Sequence, residues 1–534
     1  MKRWILILLL PLLLLVLAAV GAYVYMSSQD FELARAEIEE AMEEALGREV
    51  RIAGPFQVSV VPVPTVGMRE VSVANAPWGT REQMLEVGLL ELRLAILPLL
   101  FREFQVSRLV LHDATLWLEN NQAGDHNWEF ESRADDQPGD AQFQVREVEL
   151  RNLNASYFNT DNGVTRTLQL DFFDINAPAP DELLDVRGNG HLRDGRAVEV
   201  DGRISSIGAV LARSGFEIDM HIALGDSVAD VRGAFDDQDF TDFSGTELSI
   251  EGRGKAFNEL NQWLDFDLPE AREHSYRAEL SGERDTLRLT DLEGRVEGEG
   301  FSVSVEGNIG ALTRLEQIDL SLRSEGRSVN DLLPAWDWPW TRTDEYEFRA
   351  RLIGSAAAPS LEDMFVRAAV SGAEFVLEGR IGDARDMDDI AVSATLRAQH
   401  IGTLYDVFRL PIPDVDSVDV TMSIVGHVSE PRVPRLESTL VEDSTTARVT
   451  GSIENLETLS GMDVHFTVEG SDLDDLSDLL PITLPNASPF SASGKLQGDR
   501  HDLVLVVDRG DVRRDSMALT LSGRVDDLLE VPEY

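Results

Sequence analysis

Phe301-Ser302-Val303-Ser304-Val305-Glu306-Gly307 alternates apolar and polar side chains and closes on a glycine. In an extended strand successive side chains point to opposite faces, so Phe301, Val303 and Val305 share one face and Ser302, Ser304 and Glu306 the other. The figure returns with Phe375 and Leu377 ahead of Gly379, Val449 ahead of Gly451, and Leu519 and Leu521 ahead of Gly523, each glycine 72 residues after the last. Leu260, Leu332, Leu404 and Leu476 keep the same step in an independent frame. Gly282, Gly354 and Gly426 keep it too, after which the next member is either Gly494 or Gly498. Pro269, Pro413 and Pro485 follow the leucine series by nine positions, and the second unit departs from this with Pro339. The chain therefore carries three whole units and a shortened fourth from about residue 252 onward.

Each unit opens on a short helical or turn segment at 258–264, 330–333, 402–408 and 475–480, and strands follow. Tyr346, Phe348, Ala350 and Leu352 oppose Glu345, Glu347, Arg349 and Arg351; Val418, Val420, Met422 and Ile424 oppose Asp419, Thr421 and Ser423. One face of the sheet is apolar and the other wet. An apolar face must be covered by a second sheet, by helices or by a ligand, and helical sequence is scarce. Two readings follow: β-sandwich modules with dry cores, or an antiparallel sheet curled into an open groove. About 25 to 30 strands at about 4.8 Å spacing would give a groove on the order of 120 to 140 Å.

Towards the N-terminus the period changes. Phe31, Ala34, Ile38, Ala41, Met42, Ala45 and Leu46 recur at helical spacing, with Asp30 placed to cap the start and Gly47 to end it. Ahead of them Lys2 and Arg3 precede an apolar run from Trp4 to Met26, interrupted only by Pro11 and Gly21. Roughly 22 residues at about 1.5 Å each give about 33 Å, enough to cross a bilayer core. The small residues Ala18 to Ala22 offer a cleavable leader as the competing reading, but the apolar run exceeds the usual 7 to 15 of a leader. The span is read as an uncleaved anchor: Lys2 and Arg3 stay in the cytoplasm, the chain after Met26 lies outside it, and Trp4, Tyr23 and Tyr25 sit at the interfaces.

Lys+Arg 47 against Asp+Glu 96 give a formal charge of -49 spread along the 534 residues, which solvates the surface and repels nucleic acid at long range. With no cysteine, disulfides, thiol catalysis and Cys-ligated zinc are excluded. The nine histidines have no metal-binding spacing, and neither a nucleophile elbow nor a phosphate loop is present. Asn159-Thr160-Asp161-Asn162-Gly163 lacks the downstream glutamate of a calcium loop and reads as a hairpin turn between Tyr157-Phe158 and the strand at Leu168 to Leu170. Trp336, Trp338 and Trp340 form the one local aromatic concentration, read as a packed corner ahead of a lipid-contacting lip. No catalytic residue, metal or cofactor is expected.

After the helix, Gly47 to Phe56, then Pro62-Val63-Pro64 and Val71-Ser72-Val73-Ala74-Asn75-Ala76-Pro77-Trp78, resemble the opening of the AsmA family in order and spacing. Pro98-Leu99-Leu100, Leu109-Val110-Leu111, Leu116-Trp117-Leu118-Glu119 and Gly124-Asp125-His126-Asn127-Trp128 resemble that family's next segment, and Leu476 to Leu480 with Leu484-Pro485 its C-terminal repeats. The resemblance implies a bacterial inner-membrane protein with a single pass, an N-terminus in the cytoplasm and a periplasmic body akin to the chorein-type lipid-transfer groove. It implies a part in outer-membrane biogenesis and offers no catalytic residues.

The expected organisation is a cytoplasmic tip and transmembrane anchor over 1–29, an N-terminal chorein-like β-groove domain over 30–135, a middle β region over 136–251 and the repeat region over 252–534. The expected fold is mainly β: the anchor, then an elongated antiparallel repeating β-groove with short helices between units. The expected partners are the inner-membrane bilayer, phospholipid, and outer-membrane or periplasmic proteins, with no nucleic acid. The groove lining is assigned to Tyr276, Ala278, Leu280, Phe301, Val303, Val305, Phe348, Leu352, Phe375, Leu377, Val420, Met422, Ile424, Leu519 and Leu521, and the anchor to Trp4, Pro11, Tyr23 and Met26. The function expected is lipid binding or transfer without catalysis; the alternative is a periplasmic scaffold assisting outer-membrane protein insertion.

Overall fold

The computed structural model describes residues 32–59, 65–94, 106–121, 124–128, 146–160, 163–177, 182–206, 209, 215–236, 244–255, 271–328, 344–370, 372–399, 415–474, 486–500, 502–514 and 517–526. The anchor with Trp4, Pro11, Tyr23 and Met26, the segments that open each repeat, the leucine series and the three tryptophans at 336–340 lie outside the described residues. No helix of the described residues is long and apolar enough to cross a membrane.

Twenty-seven strands are present among the described residues, within the expected 25 to 30, and they divide into two units that part at residue 252. The first unit opens with helix α1 (Glu32–Leu46) and holds β1 (Val50–Ile52), β2 (Phe56–Ser59), β3 (Thr65–Ala74), β4 (Gln83–Leu94), β5 (Val106–Glu119) and β6 (Glu147–Asn159). It continues with β7 (Val164–Asn176), β8 (Leu184–Leu192), β9 (Ala197–Ile204), β10 (Phe216–Leu224), β11 (Ser227–Phe235) and β12 (Thr246–Gly254), which runs across the boundary. The second unit holds β13 (Ala271–Gly282), β14 (Arg288–Gly298), β15 (Phe301–Ala311), β16 (Glu316–Gly326), β17 (Glu345–Ser355), β18 (Pro359–Val370), β19 (Ala373–Asp383) and β20 (Asp388–Gln399). Then come β21 (Ser417–Gly426), β22 (Arg432–Glu442), β23 (Thr445–Ile453), β24 (Met462–Gly470), β25 (Phe490–Gly498), β26 (Val504–Arg514) and β27 (Met517–Val525).

The helix expected at the start forms as α1 and ends at Gly47, whose φ of 63° is the left-handed conformation glycine takes at a helix C-terminus. Its Ile38, Met42 and Leu46 pack on a core built from Val50, Ile52, Met68, Val71, Val73, Met84, Val87, Leu90 and Ala114. Its polar side saturates the outer edge of β1 and the turn after it: Ile52 N donates to Glu39 Oε1 at 2.6 Å, Val50 N to Glu43 Oε1 at 3.1 Å, and Arg35 donates to Gly54 O at 2.9 Å. The outer edge of β1 is thereby closed to further strands.

From β13 to β27 each strand pairs antiparallel with its chain neighbours. The 72-residue period is a block of four strands. β14, β18, β22 and β26 open successive blocks, and β15, β19, β23 and β27 carry Gly307, Gly379, Gly451 and Gly523. The structure also decides the glycine series left open above: Gly282, Gly354, Gly426 and Gly498 all have φ between 105° and 120° at the end of a strand, so Gly498 and not Gly494 is the fourth member. In the first unit β6 and β7 pair antiparallel with Asn159 opposite Val164, as the expected hairpin requires; Asp161 and Asn162 of its turn lie outside the described residues.

One expectation is corrected. The sheet is not antiparallel throughout, because β5 and β6 run parallel, Arg108 opposite Glu147 and Glu119 opposite Phe158. The chain between Glu119 and Glu147 is long enough to return to the starting end of β5, which a tight hairpin cannot do. Arg108 holds the pair from its side chain, bridging to Glu147 at 3.3 Å and to Glu149.

Candidate functional site

The candidate site is the apolar face of the sheet, and the strand register defines it. Residues directly opposite one another in a ladder share a face. Val303 lies opposite Val296 and Ser324, Val305 opposite Gly294 and Leu322, and Leu322 opposite Ala350. Followed strand by strand, this places Tyr276, Ala278, Leu280, Phe301, Val303, Val305, Phe348, Leu352, Phe375, Leu377, Val420, Met422, Ile424, Leu519 and Leu521 on a single face of the second unit. β-Bulges at Thr290-Asp291, Glu362-Asp363, Pro434-Arg435 and Asp508-Arg509 recur once per block, at matching places in β14, β18 and β22 and two residues further along in β26. Because each takes up one extra residue, the apolar set stays on its face beyond the bulge.

Burial along that face is uneven. Phe301, Ile309 and Ala311 are buried at the two ends of β15, as are Ala373 and Ile381 on β19, whereas Val303, Val305 and Leu377 between them are only half-buried. A sheet closed against a second sheet buries the middle of its strands most deeply. The face is also drawn in on itself. Phe301 and Tyr346, two strands apart, meet over Gly326, where a Cβ would lie 2.8 Å from the tyrosine ring. At Gly307 and Gly379, whose φ of 142° and 149° favours glycine, a Cβ would lie 2.1 or 2.2 Å from the carbonyl of Asp319 or Ala391 on the next strand, so no larger residue fits there. The first unit shows a continuous face of the same kind, running through Leu92, Leu109, Val148 and Ile175 to Val186, with α1 covering its first strands.

Sequence reasoning passed over other members of the face, among them Val296, Leu320, Leu322, Met364, Val392 and Leu436. Their signal was the same alternation, blurred in β18 and β22 by the bulges. Two assigned residues stand apart: Leu519 and Leu521 lie on the outermost strand, 61 % and 46 % exposed.

The opposite face is a ladder of arginine and carboxylate pairs, including Arg277–Glu293, Arg351–Asp319, Arg397–Asp419 and Arg448–Glu469 at 2.7–3.2 Å. The Arg351 guanidinium holds the Asp319 carboxyl below its ordinary value, and Arg203 with Arg232 do the same for Asp219. These pairs are solvent-exposed and each contributes little stability; their effect is to keep that face in water.

A buried polar cluster fixes one rim of the first unit. Glu119, fully buried, accepts from Asn75 Nδ2 at 2.6 Å, Thr80 N at 2.8 Å and Thr80 Oγ1 at 2.6 Å. Asn127, also fully buried, accepts from Glu119 N at 3.0 Å and donates to Asn75 Oδ1 at 2.9 Å and to Trp117 O at 2.8 Å. Arg81 lies 3.5 Å from the Trp117 ring centroid, and Trp128 stacks on His126 at 4.4 Å. The cluster joins two sequence motifs, Asn75 to Trp78 and Gly124 to Trp128, around Asn75, Glu119 and Asn127, whose amide and carboxylate groups bond to one another and to the backbone, which is the chemistry of a structural lock. No group of residues able to hold a metal ion occurs among the described residues.

Compared with known protein families, residues 1–172 match the AsmA family. No curated protein and no solved structure matches the chain.

Proposed function

We propose, for a chain that belongs to the AsmA family through residues 1–172, that the apolar face of the sheet binds the acyl chains of phospholipid and that the protein carries lipid without catalysing a reaction. The observation that carries this reading is the half-burial of Val303, Val305, Leu377 and Met422 in the middle of a face whose strand ends are buried. An acyl chain laid there removes apolar surface from water at about 25 cal/mol per Å², about 0.8 kcal/mol per methylene, on both partners. A phospholipid has a charged headgroup as well, and a groove open along one side lets that group stay in water while the chains are buried. In this reading residues 1–29 hold the protein in the inner membrane, the body lies in the periplasm, and the groove serves outer-membrane biogenesis.

The test is lipid extraction from the purified full-length protein, comparing wild type with Val305→Asp and Met422→Asp. A carboxylate in the middle of the lining strips the site of its apolar character while the strand ends that hold the fold stay intact. Copurified phospholipid that falls severalfold in both folded variants is the expected result. A folded wild type free of lipid overturns the proposal and favours the scaffold alternative.

A further inference from the structure

β27 pairs with β26 on one side and, among the described residues, with nothing on the other. The three earlier blocks show what such a strand takes on that side. β15, β19 and β23 are each followed by an antiparallel strand that sets Leu320, Val392 or Val464 opposite the block's glycine. The same strands set Leu322, Ala394 or Phe466 opposite Val305, Leu377 or Val449. β27 is the fourth member of that series. A Cβ at Gly523 would meet nothing within 4 Å, and Met517, Leu519, Leu521 and Val525 are 69 %, 61 %, 46 % and 49 % exposed. In the first unit Glu39 and Glu43 of α1 hold the outer edge of β1, whereas the outer side of β27 has no such cover among the described residues and is left as an apolar template.

We infer that the free edge of β27 pairs with β27 of a second copy of the chain, antiparallel across a two-fold axis at Leu521. A two-fold axis makes two identical strands antiparallel, the direction found at β15, β19 and β23. The register centred on Leu521 pairs all nine residues of the strand. It sets Leu519 of the second copy against Gly523, as Leu320 stands against Gly307, and Leu521 against its own counterpart, as Leu322 stands against Val305. Met517 then faces Val525, so every apolar position meets an apolar one or the glycine. On the polar face Thr520 meets Ser522 and Ala518 meets Arg524, with no like charges opposed. The contact is smaller than the roughly 1,600 Å² of a standard stable interface, so the pairing is weak and concentration-dependent. It stands independently of the lipid-binding reading.

The chain has no cysteine, which gives a direct test on the full-length protein purified in detergent at high concentration. Opposed residues of an antiparallel pair have Cα atoms about 4.5 to 5.5 Å apart, within disulfide range. Under mild oxidation Leu521→Cys is expected to give a covalent dimer and Ala518→Cys alone to give at least fivefold less, while Ala518→Cys with Arg524→Cys restores the crosslink. Adding Leu519→Lys to Leu521→Cys is expected to abolish it. The inference is overturned by Leu521→Cys remaining monomeric while amide exchange in β26 shows the sheet intact. It is equally overturned by Ala518→Cys crosslinking as readily as Leu521→Cys, or by outer-edge amides of β27 already protected in the monomer.

Discussion

At the level of single residues, the densest chemistry in the molecule is structural. The buried Asn127 side chain serves three partners, so its loss takes the acceptor from the Glu119 amide and a donor from both the Trp117 carbonyl and Asn75 Oδ1, which keeps its bond from Ala76 N. Asn127→Ala is expected to cost about 3 kcal/mol, read as accelerated amide exchange at the ends of β3 and β5. The motifs containing Asn75 and Asn127 are legible in the sequence, but their meeting around Glu119 is not, since 44 and 8 residues separate them from it along the chain. His274 is a second case. It is buried beside Tyr276 at the start of the second unit, and burial pushes its imidazole below the ordinary 6.5. The folded protein therefore keeps His274 neutral at pH values where the unfolded chain binds a proton, so stability is full above about 6.5 and falls as the pH drops from there towards the folded value. In urea titrations across that window His274→Gln is expected to lose less stability on acidification than wild type.

For individual elements, the repeat glycines show how one sequence signal means different things in different places. Gly379 and Gly523 hold equivalent positions 72 residues apart twice over, yet a Cβ at the first would strike the Ala391 carbonyl at 2.2 Å and a Cβ at the second meets open space. Gly379→Ala is expected to destabilise the β19–β20 pair by about 2 kcal/mol or more and Gly523→Ala to change the isolated chain by less than about 0.5 kcal/mol, both measured by thermal melts and local amide exchange. The alternation of β5 and β6 is as plain as that of any other pair, but alternation assigns faces and is silent on direction. For that reason the parallel pairing is not legible in the pattern and comes only from the register of β5 on β6, Arg108 opposite Glu147. The bulges were hidden for a related cause: an added residue looks like a lapse in the pattern until the ladder shows both halves of the strand on one face.

Across the whole molecule, the acidic surface and the apolar face set opposing conditions. A formal charge of -49 repels itself along the sheet, while the exposed ion pairs of the polar face offset little of it. Raising sodium chloride from about 10 mM to about 500 mM shortens the screening length from about 30 Å to a few ångströms and is expected to raise the melting temperature. A melting temperature that falls with salt would mean that the ion-pair ladder outweighs the net repulsion.

The sequence by itself determined the mainly β fold, the 72-residue period, the helix ahead of the first strand, and the face on which each candidate residue stands. All of these follow from local periodicity, which a strand or helix displays wherever it is placed. Only the tertiary structure decided which strands are neighbours and in which direction, where neighbouring backbones come too close for any residue but glycine, and which parts of the apolar face are left half-covered. The tertiary structure also decided that α1 covers the outer edge of β1 while the outer side of β27 is left without a strand among the described residues. Those properties depend on what each strand meets across space, and the chain encodes that in contacts between residues far apart, where no short pattern can carry it.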